Sequence, residues 1–443
     1  MNNGNVNWNN KSNNKNIRPV VAVPPSATSR IVYDIPFSTL VDAWIECERN
    51  KRSSNSCVKF RWHSARELAD LWFQIREGRY KPQKSTCFMV SDPVLREVWA
   101  GSFRDRIVHH WEYVRFGPIL EKYFVAVGDC SMNCRKGYGS LRAVKKMMGN
   151  IQGFTKGYST DDCYIVGGDF ANFFMSIDKD LLWGYLEHII MDEYEGSDKS
   201  VLLYMMRQTL YHRCQDDYYL CSDRRLWERL PLRKSLFHMN GLPIGNLPSQ
   251  IWANFIGAVF TQWINYEKKI NGFLIFVDDW RCLIGSKEEG RRLINEIKHY
   301  LDKELHITLH PNKIYLQHYT KGTKMVGAIV KTDRIYITNR IRGNFISTII
   351  RYNKLGQTHT ERLKLLDKLR ASINSYLGLM CHFKTYKIRK KICVKYILPT
   401  WGDYLFFEGG FAKCILKKQY DRCYVLRKRL KNSRFAARFI RPV

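Results

Sequence analysis

The chain has 443 residues, 45% of them hydrophobic and 14% aromatic, enough to bury a large core in two or three domains. Its formal net charge of +31 is the imbalance expected of a protein that meets a polyanion. No stretch stays apolar for the roughly 20 residues a membrane span needs, and the 13 Cys, with no Cys-x-x-Cys pair, read as reduced thiols rather than as a zinc site.

Residues 1–28 form a polar tail in which nine of the first 16 residues are Asn, too little apolar surface to fold alone. No secretory signal is visible there, so a cytoplasmic location is expected. Leu40-Val41-Ala43-Trp44 and Ala65-Leu68-Leu71-Trp72 recur at helical spacing and predict two helices. Gly78-Arg-Tyr-Lys-Pro82 reads as a turn into extended chain. The apolar run Tyr164-Ile-Val166 predicts a strand feeding Asp169, and Asp178 is placed to cap the next helix. A polar, Tyr-rich stretch at about 190–235 reads as an insertion, or as a helix pair with a loop. Gly241-Leu-Pro243-Ile-Gly245-Asn-Leu-Pro-Ser249-Gln250 is a Gly/Pro/Ser loop that opens a helix. Phe273-Leu-Ile-Phe-Val277, then Asp278-Asp279, then Cys282-Leu-Ile284 read as strand, turn and strand. Leu363, Leu365, Leu366 and Leu369, and further on Leu377 and Leu379, predict helices. From Arg334 to Val443 there are 26 Lys and Arg against 5 Asp and Glu, about two thirds of the whole excess of positive charge.

Three of these stretches make one chemical machine. A lone carboxylate at a strand end, an Asp pair on a hairpin tip and a loop opening a helix suit nucleotidyl transfer assisted by two metal ions. Adding a nucleotide is an in-line displacement at phosphorus, and two divalent ions roughly 4 Å apart can hold the attacking and leaving oxygens. Magnesium takes oxygen ligands and keeps several waters, so two or three carboxylates suffice; manganese is a possible substitute. Asp169 and Asp278 are the expected ligands, with Phe170 counted in the metal set and Asp279 supporting from the side. An Asp pair alone is usually only a turn between strands, so the other motifs decide.

Those motifs resemble a reverse transcriptase over roughly residues 75–400, and most closely the reverse transcriptases of diversity-generating retroelements. The resemblance is carried by Arg96-Glu97 with Phe103-Arg-Asp-Arg-Ile-Val-His-His110, by Cys134-Arg-Lys-Gly-Tyr-Gly-Ser140, by Lys234-Ser-Leu-Phe237 leading into Gly241 to Asn254, and by Asn374-Ser-Tyr-Leu-Gly378. It implies an α+β right-hand polymerase: the tail at 1–28, fingers at 29–160, a palm of antiparallel sheet plus helices at 161–333, and a basic helical thumb at 334–443. It implies that Phe174 is a steric gate against a 2′-hydroxyl. Arg135 with Lys136 would meet the incoming triphosphate, where the planar Arg fork pairs with phosphate oxygens. Lys313 would act as general acid toward pyrophosphate, and Gly322 to Gly327 would form a primer grip. Ile244 and Gln250 depart from the Gln and Pro that most reverse transcriptases carry there, while Gly245 and Ser249 keep the frame. Ile244 has no polar group to offer the nascent pair, so low fidelity is expected, and the resemblance puts the errors at template adenines. Template RNA, an RNA–DNA hybrid, deoxynucleoside triphosphates and a small basic helical accessory protein are the implied partners, with no membrane. The alternatives are a defence-associated or group II intron-like reverse transcriptase and, more distantly, a non-catalytic RNA-binding scaffold.

Overall fold

Apolar spacing accounts for the first helices of the computed structural model, which describes residues 32–49, 51–91 and 94–421. The expectations for residues 1–28 and for the end of the basic segment lie outside the described residues. Leu40, Ala43 and Cys47 form the buried stripe of α1 (Phe37–Glu48). After α2 (Asn55–Trp62), Leu68, Leu71 and Ile75 do the same for α3 (Ser64–Arg76). Gly78, at φ +65°, turns the chain toward β1 (Ser85–Val90), which pairs antiparallel with β2 (Arg96–Ala100). Then comes α4 (Phe103–Ala126), whose buried residues include Ile107, Val108, Trp111, Phe116 and Leu120, followed by α5 (Ser140–Phe154).

The central sheet is built from β3 (Tyr164–Asp169) and three later strands. Between them lie α6 (Phe173–Ser176), α7 (Lys179–Glu193), α8 (Lys199–Tyr211), β4 (Tyr218–Leu220), α9 (Arg224–Glu228) and α10 (Leu247–Gln262). The chain then forms β5 (Leu274–Phe276), β6 (Asp279–Ile284), α11 (Lys287–Glu304) and β7 (Tyr315–His318). The strand order is β5-β6-β3-β7, antiparallel throughout. With α10 and α11 as its helical connections, this is the split β-α-β plan. Period-2 alternation separates the two faces. Val166, Ile275, Trp280, Cys282 and Ile284 join the core that contains α10 and α11. Ile165, Leu274 and Leu283 join a second core with α5 and the strands β8 (Thr323–Met325) and β9 (Ala328–Val330). Asp169 shares its face with Ile165, and Asp279 with Leu283, so both carboxylates lie on the side away from α10 and α11.

The larger core runs from Ile35 to Leu309 and crosses the expected boundary near residue 160 without a break. The stretch at 190–235, expected as an insertion or as a helix pair with a loop, holds α8, β4 and the short α9, and α8 is not appended. α8 buries Val201, Leu202, Met205, Met206 and Leu210 in that core, and β4 adds parallel to β1. After β10 (Ile335–Ile337), the helices α12 (Asn339–Leu355), α13 (His359–Cys381) and α14 (Tyr386–Ile392) close a separate core. Leu366, Leu369, Ile373 and Leu377 are inside it, whereas Leu363 falls on the outer face at 41% exposure. No helix among the described residues is long and apolar enough to cross a membrane.

The loop before α10 is seated by main-chain bonds on both sides. Leu242 N–H donates to the Phe174 carbonyl (2.7 Å), and Trp99 N–H donates to the Ile244 carbonyl (2.7 Å). A methyl group on Gly241 would overlap the carbonyls of Phe174 and Met175. Gly241→Ala therefore lifts the loop off α6; we expect a loss of about 1–3 kcal/mol of stability, read by denaturant unfolding.

Candidate active site

Antiparallel register brings the acidic residues together. Asp169, at the end of β3, lies opposite Asp279, at the start of β6. Phe276 pairs with Asp279, so Val277 and Asp278 are the two residues of the hairpin turn. The Asp278 carbonyl accepts the Phe170 N–H (3.1 Å), which sets the turn against the strand end that carries Asp169. Val277 sits at φ +62°, a left-handed conformation that costs a β-branched residue on the order of 1–3 kcal/mol.

Each carboxylate has its own electrostatic setting. Residues 308–310 run beside the end of β3: Ala171 N–H donates to the Thr308 carbonyl and His310 N–H to the Asp169 carbonyl, each at 2.8 Å. This carries Lys313, in the turn that follows, to Asp169, with Nζ 2.8 Å from Oδ1. Asp279 is engaged by Arg281 Nη1 at 2.5 Å, and Arg281 also reaches the carbonyl of Lys324 and the hydroxyl of Thr323. Burial raises the Asp279 carboxyl while Arg281 lowers it. Asp278 has no such partner among the described residues; burial first, and then the charge of Asp169, push its carboxyl up to about 6.

These residues suit a hard cation. Two neighbouring carboxylates, one held protonation-prone by burial and then by the charge of the other, ionise together when a divalent ion lies between them. The Phe170 ring is buried against Phe173 and Phe260, so Phe170 could contribute only its main-chain carbonyl. Asp279 is already committed to Arg281. No group of three or more His, Cys, Asp or Glu among the described residues is arranged to hold a metal, so waters and substrate oxygens would complete the coordination of a magnesium ion.

The remaining expected residues divide among three places. Phe174 lies in α6, directly after β3, and the Gly241–Ile244 loop docks on its carbonyl. Ile244 packs beside a small core of Cys87, Trp99, Met175, Cys214 and Leu236. Gly245, at φ +123°, lies where a side chain would press on the Trp99 carbonyl. Arg135 is elsewhere than expected: its side chain is 1% exposed and takes no part in an open phosphate site. Its guanidinium bonds Glu121 (2.9 and 2.5 Å), Asp129 (2.8 Å) and the Ser131 carbonyl (2.8 Å), and stacks on Tyr138. The exposed cation of that loop is Lys136. Arg135 and Gln250 line a cleft of about 880 Å³ with Asp42, Glu46, His110 and Trp111, to which neither Asp169 nor Asp278 contributes. Gly327 closes the two-residue turn between β8 and β9 at φ +84°, and Gly322 precedes β8 at φ +76°.

Arg281 was not singled out from the sequence, although its place two residues after Asp279, on the same face of a strand, is a readable signal. It ties the hairpin to β8, so the segment bearing Gly322 and Gly327 is fastened to the carboxylates through one buried guanidinium.

No protein-family model and no curated protein matches the chain. Among solved structures it is similar to telomerase from Candida albicans in complex with a TWJ fragment of telomeric RNA, with 11% identity, a TM-score of 0.38, and coverage of 83% of this chain and 67% of that one. It is also similar to apo telomerase from Candida tropicalis, with 10% identity, a TM-score of 0.41, and coverage of 72% of this chain and 60% of that one. For the Candida tropicalis telomerase with the TWJ fragment the identity is also 10%, the TM-score 0.41, and the coverage 72% of this chain and 55% of that one. The chain thus spans about 55–67% of the length of these structures. Overlaps this shallow carry no argument, so the fold description rests on strand order and the site on its own geometry.

The Asp278 carboxyl makes stability pH-dependent. Its folded value, about 6, is above its ordinary 3.8, so the folded state binds that proton more tightly. Ionising Asp278 then costs the metal-free fold up to about 3 kcal/mol, a cost present above pH 6 and absent below pH 4. Asp278→Asn should raise the melting temperature of chelator-treated protein at pH 8 and leave it unchanged near pH 4; equal melting at pH 8 would contradict the assignment.

Proposed function

We propose that the chain is an RNA-directed DNA polymerase that copies a template RNA into cDNA. The observation that carries the reading is the convergence of Asp169 and Asp278, through the β3–β6 register and the Phe170–Asp278 main-chain bond, beside Lys313. When bound, two magnesium ions, or manganese in their place, would supply charge stabilisation at the attacking and leaving oxygens. Asp169 and Asp278 would hold them. Lys313 Nζ, drawn here to Asp169, would turn to the departing pyrophosphate and give it a proton. Phe174 would lie under the sugar and exclude a 2′-hydroxyl. Lys136, exposed on its loop, would meet phosphate in the role expected of Arg135. The net charge of +31 supports a nucleic-acid partner held through many phosphate contacts.

The finer reading is error-prone copying for targeted gene diversification within a retroelement, aided by a small basic accessory protein. Its support is local: the side chain at 244 is apolar and half-buried against Trp99 and Met175. It can shape the nascent pair by packing but cannot hydrogen-bond it, and packing discriminates less than a matched polar group.

On a primed homopolymer RNA with magnesium, Asp169→Ala and Asp278→Ala should each lower extension more than about 100-fold. Retained extension in either variant would overturn the assignment. Ile244→Gln should lower misincorporation opposite template adenine by about 3- to 10-fold, measured by sequencing cDNA; an unchanged error spectrum counts against the diversification reading.

A further inference from the structure

The hairpin tip has a support that the chemistry above does not use. Val277 occupies a left-handed conformation that suits glycine, yet the turn must keep its shape for Asp278 to stand beside Asp169. The Val277 N–H donates to the side-chain Oδ1 of Asn133 at 2.7 Å. Asn133 is 6% exposed. An N–H can be met only by the oxygen of that amide, so chemistry settles its orientation. Asn133 is braced in turn: its main-chain carbonyl accepts from Asn254 Nδ2 at 3.1 Å, and Asn254 Oδ1 accepts from the Ser131 hydroxyl.

The segment that bears Asn133 is joined to the sheet as well. Met132 N–H donates to the Ile275 carbonyl (3.0 Å), and Ile275 N–H to the Cys130 carbonyl (3.1 Å), so residues 130–132 run along β5. Two positions beyond Asn133, Arg135 is bolted to Glu121 and Asp129, and next to it Lys136 is exposed. One short stretch therefore touches the carboxylate turn at one end and presents a cation at the other.

We propose that Asn133 is a positioning residue for Asp278. Its amide oxygen holds the Val277 N–H, keeps the turn left-handed and sets the Asp278 carboxylate where a divalent cation is bound; Asn254 acts through Asn133. The proposal rests on the polymerase reading of the hairpin. A satisfied buried amide with no such role would affect folding alone, and the two are separable, because glycine at position 277 takes the same turn unaided.

The test uses the full chain with Mn2+ alone as the probe, followed by water-proton relaxation, together with steady-state primer extension. Asn133→Ala should weaken Mn2+ binding about tenfold and lower kcat by a similar factor, with KM for primer–template unchanged. Val277→Gly combined with Asn133→Ala should recover at least half of both losses. Wild-type Mn2+ affinity in Asn133→Ala, or a double variant no better than the single one, would overturn the proposal. If Asn133→Ala does not fold, Asn133→Ser, whose hydroxyl is too short to reach Val277, carries the same expectations. Asp278→Asn is the control. If it loses Mn2+ and activity while Asn133→Ala keeps both, only the positioning role falls. If it keeps both, the polymerase reading falls and takes the positioning role with it.

Discussion

The structure depends most on one alignment, the antiparallel register of β3 with β6. Six consecutive pairs, from Tyr164 with Ile284 to Asp169 with Asp279, decide where every acidic residue of the site lies. Side chains alternate across a sheet, so a slip of one residue would move Asp169 to the α10–α11 face and drive Ile165 out of its core. The glycines at 167 and 168 keep the alignment tight: a Cβ at Gly167 would strike the Tyr315 ring, and one at Gly168 the Trp280 ring. The apolar packing of both faces thus holds in place two like charges that repel each other.

A second constraint is how the surrounding segments are fastened to that sheet. Arg281 reaches from β6 to β8 through the Thr323 hydroxyl and the Lys324 carbonyl, under the ring of Tyr315. Such a buried cation is tolerable because its donors are satisfied and Asp279 balances its charge. The C-terminal helices, by contrast, keep a hydrophobic core of their own, from Ile337 to Leu416.

Local features were readable in the residues themselves. The spacing of Leu40 and Ala43, or of Leu68 and Leu71, marks helices because one face alone is buried. The Asp278-Asp279 pair between apolar runs marks a hairpin, and Asp178 caps α7 through bonds to the Asp180 and Leu181 amides. What escaped depends on distant partners. The charge of Arg135 suggests phosphate, but Glu121 and Asp129 claim it, and only the fold of α4 against the following loop brings them to it. The polarity of 190–235 as a whole suggests an appendage, yet inside it Val201, Leu202, Met205, Met206 and Leu210 of α8 join the main core. Leu363 shares the spacing of Leu366 and Leu369 but turns outward, because α13 buries a narrower stripe than the leucines outline.

The loop between α9 and α10 has a consequence for how such a protein can change over generations. Its main chain is pinned on both flanks of Ile244, at Leu242 by α6 and at Ile244 itself by β2, while Gly241 and Gly245 leave no space for side chains of their own. A replacement of the Ile244 side chain can thereby alter the lining without moving the pinned main chain. At that position the exchange of one residue is enough to trade an apolar contact for a polar one on a scaffold that stays where it is.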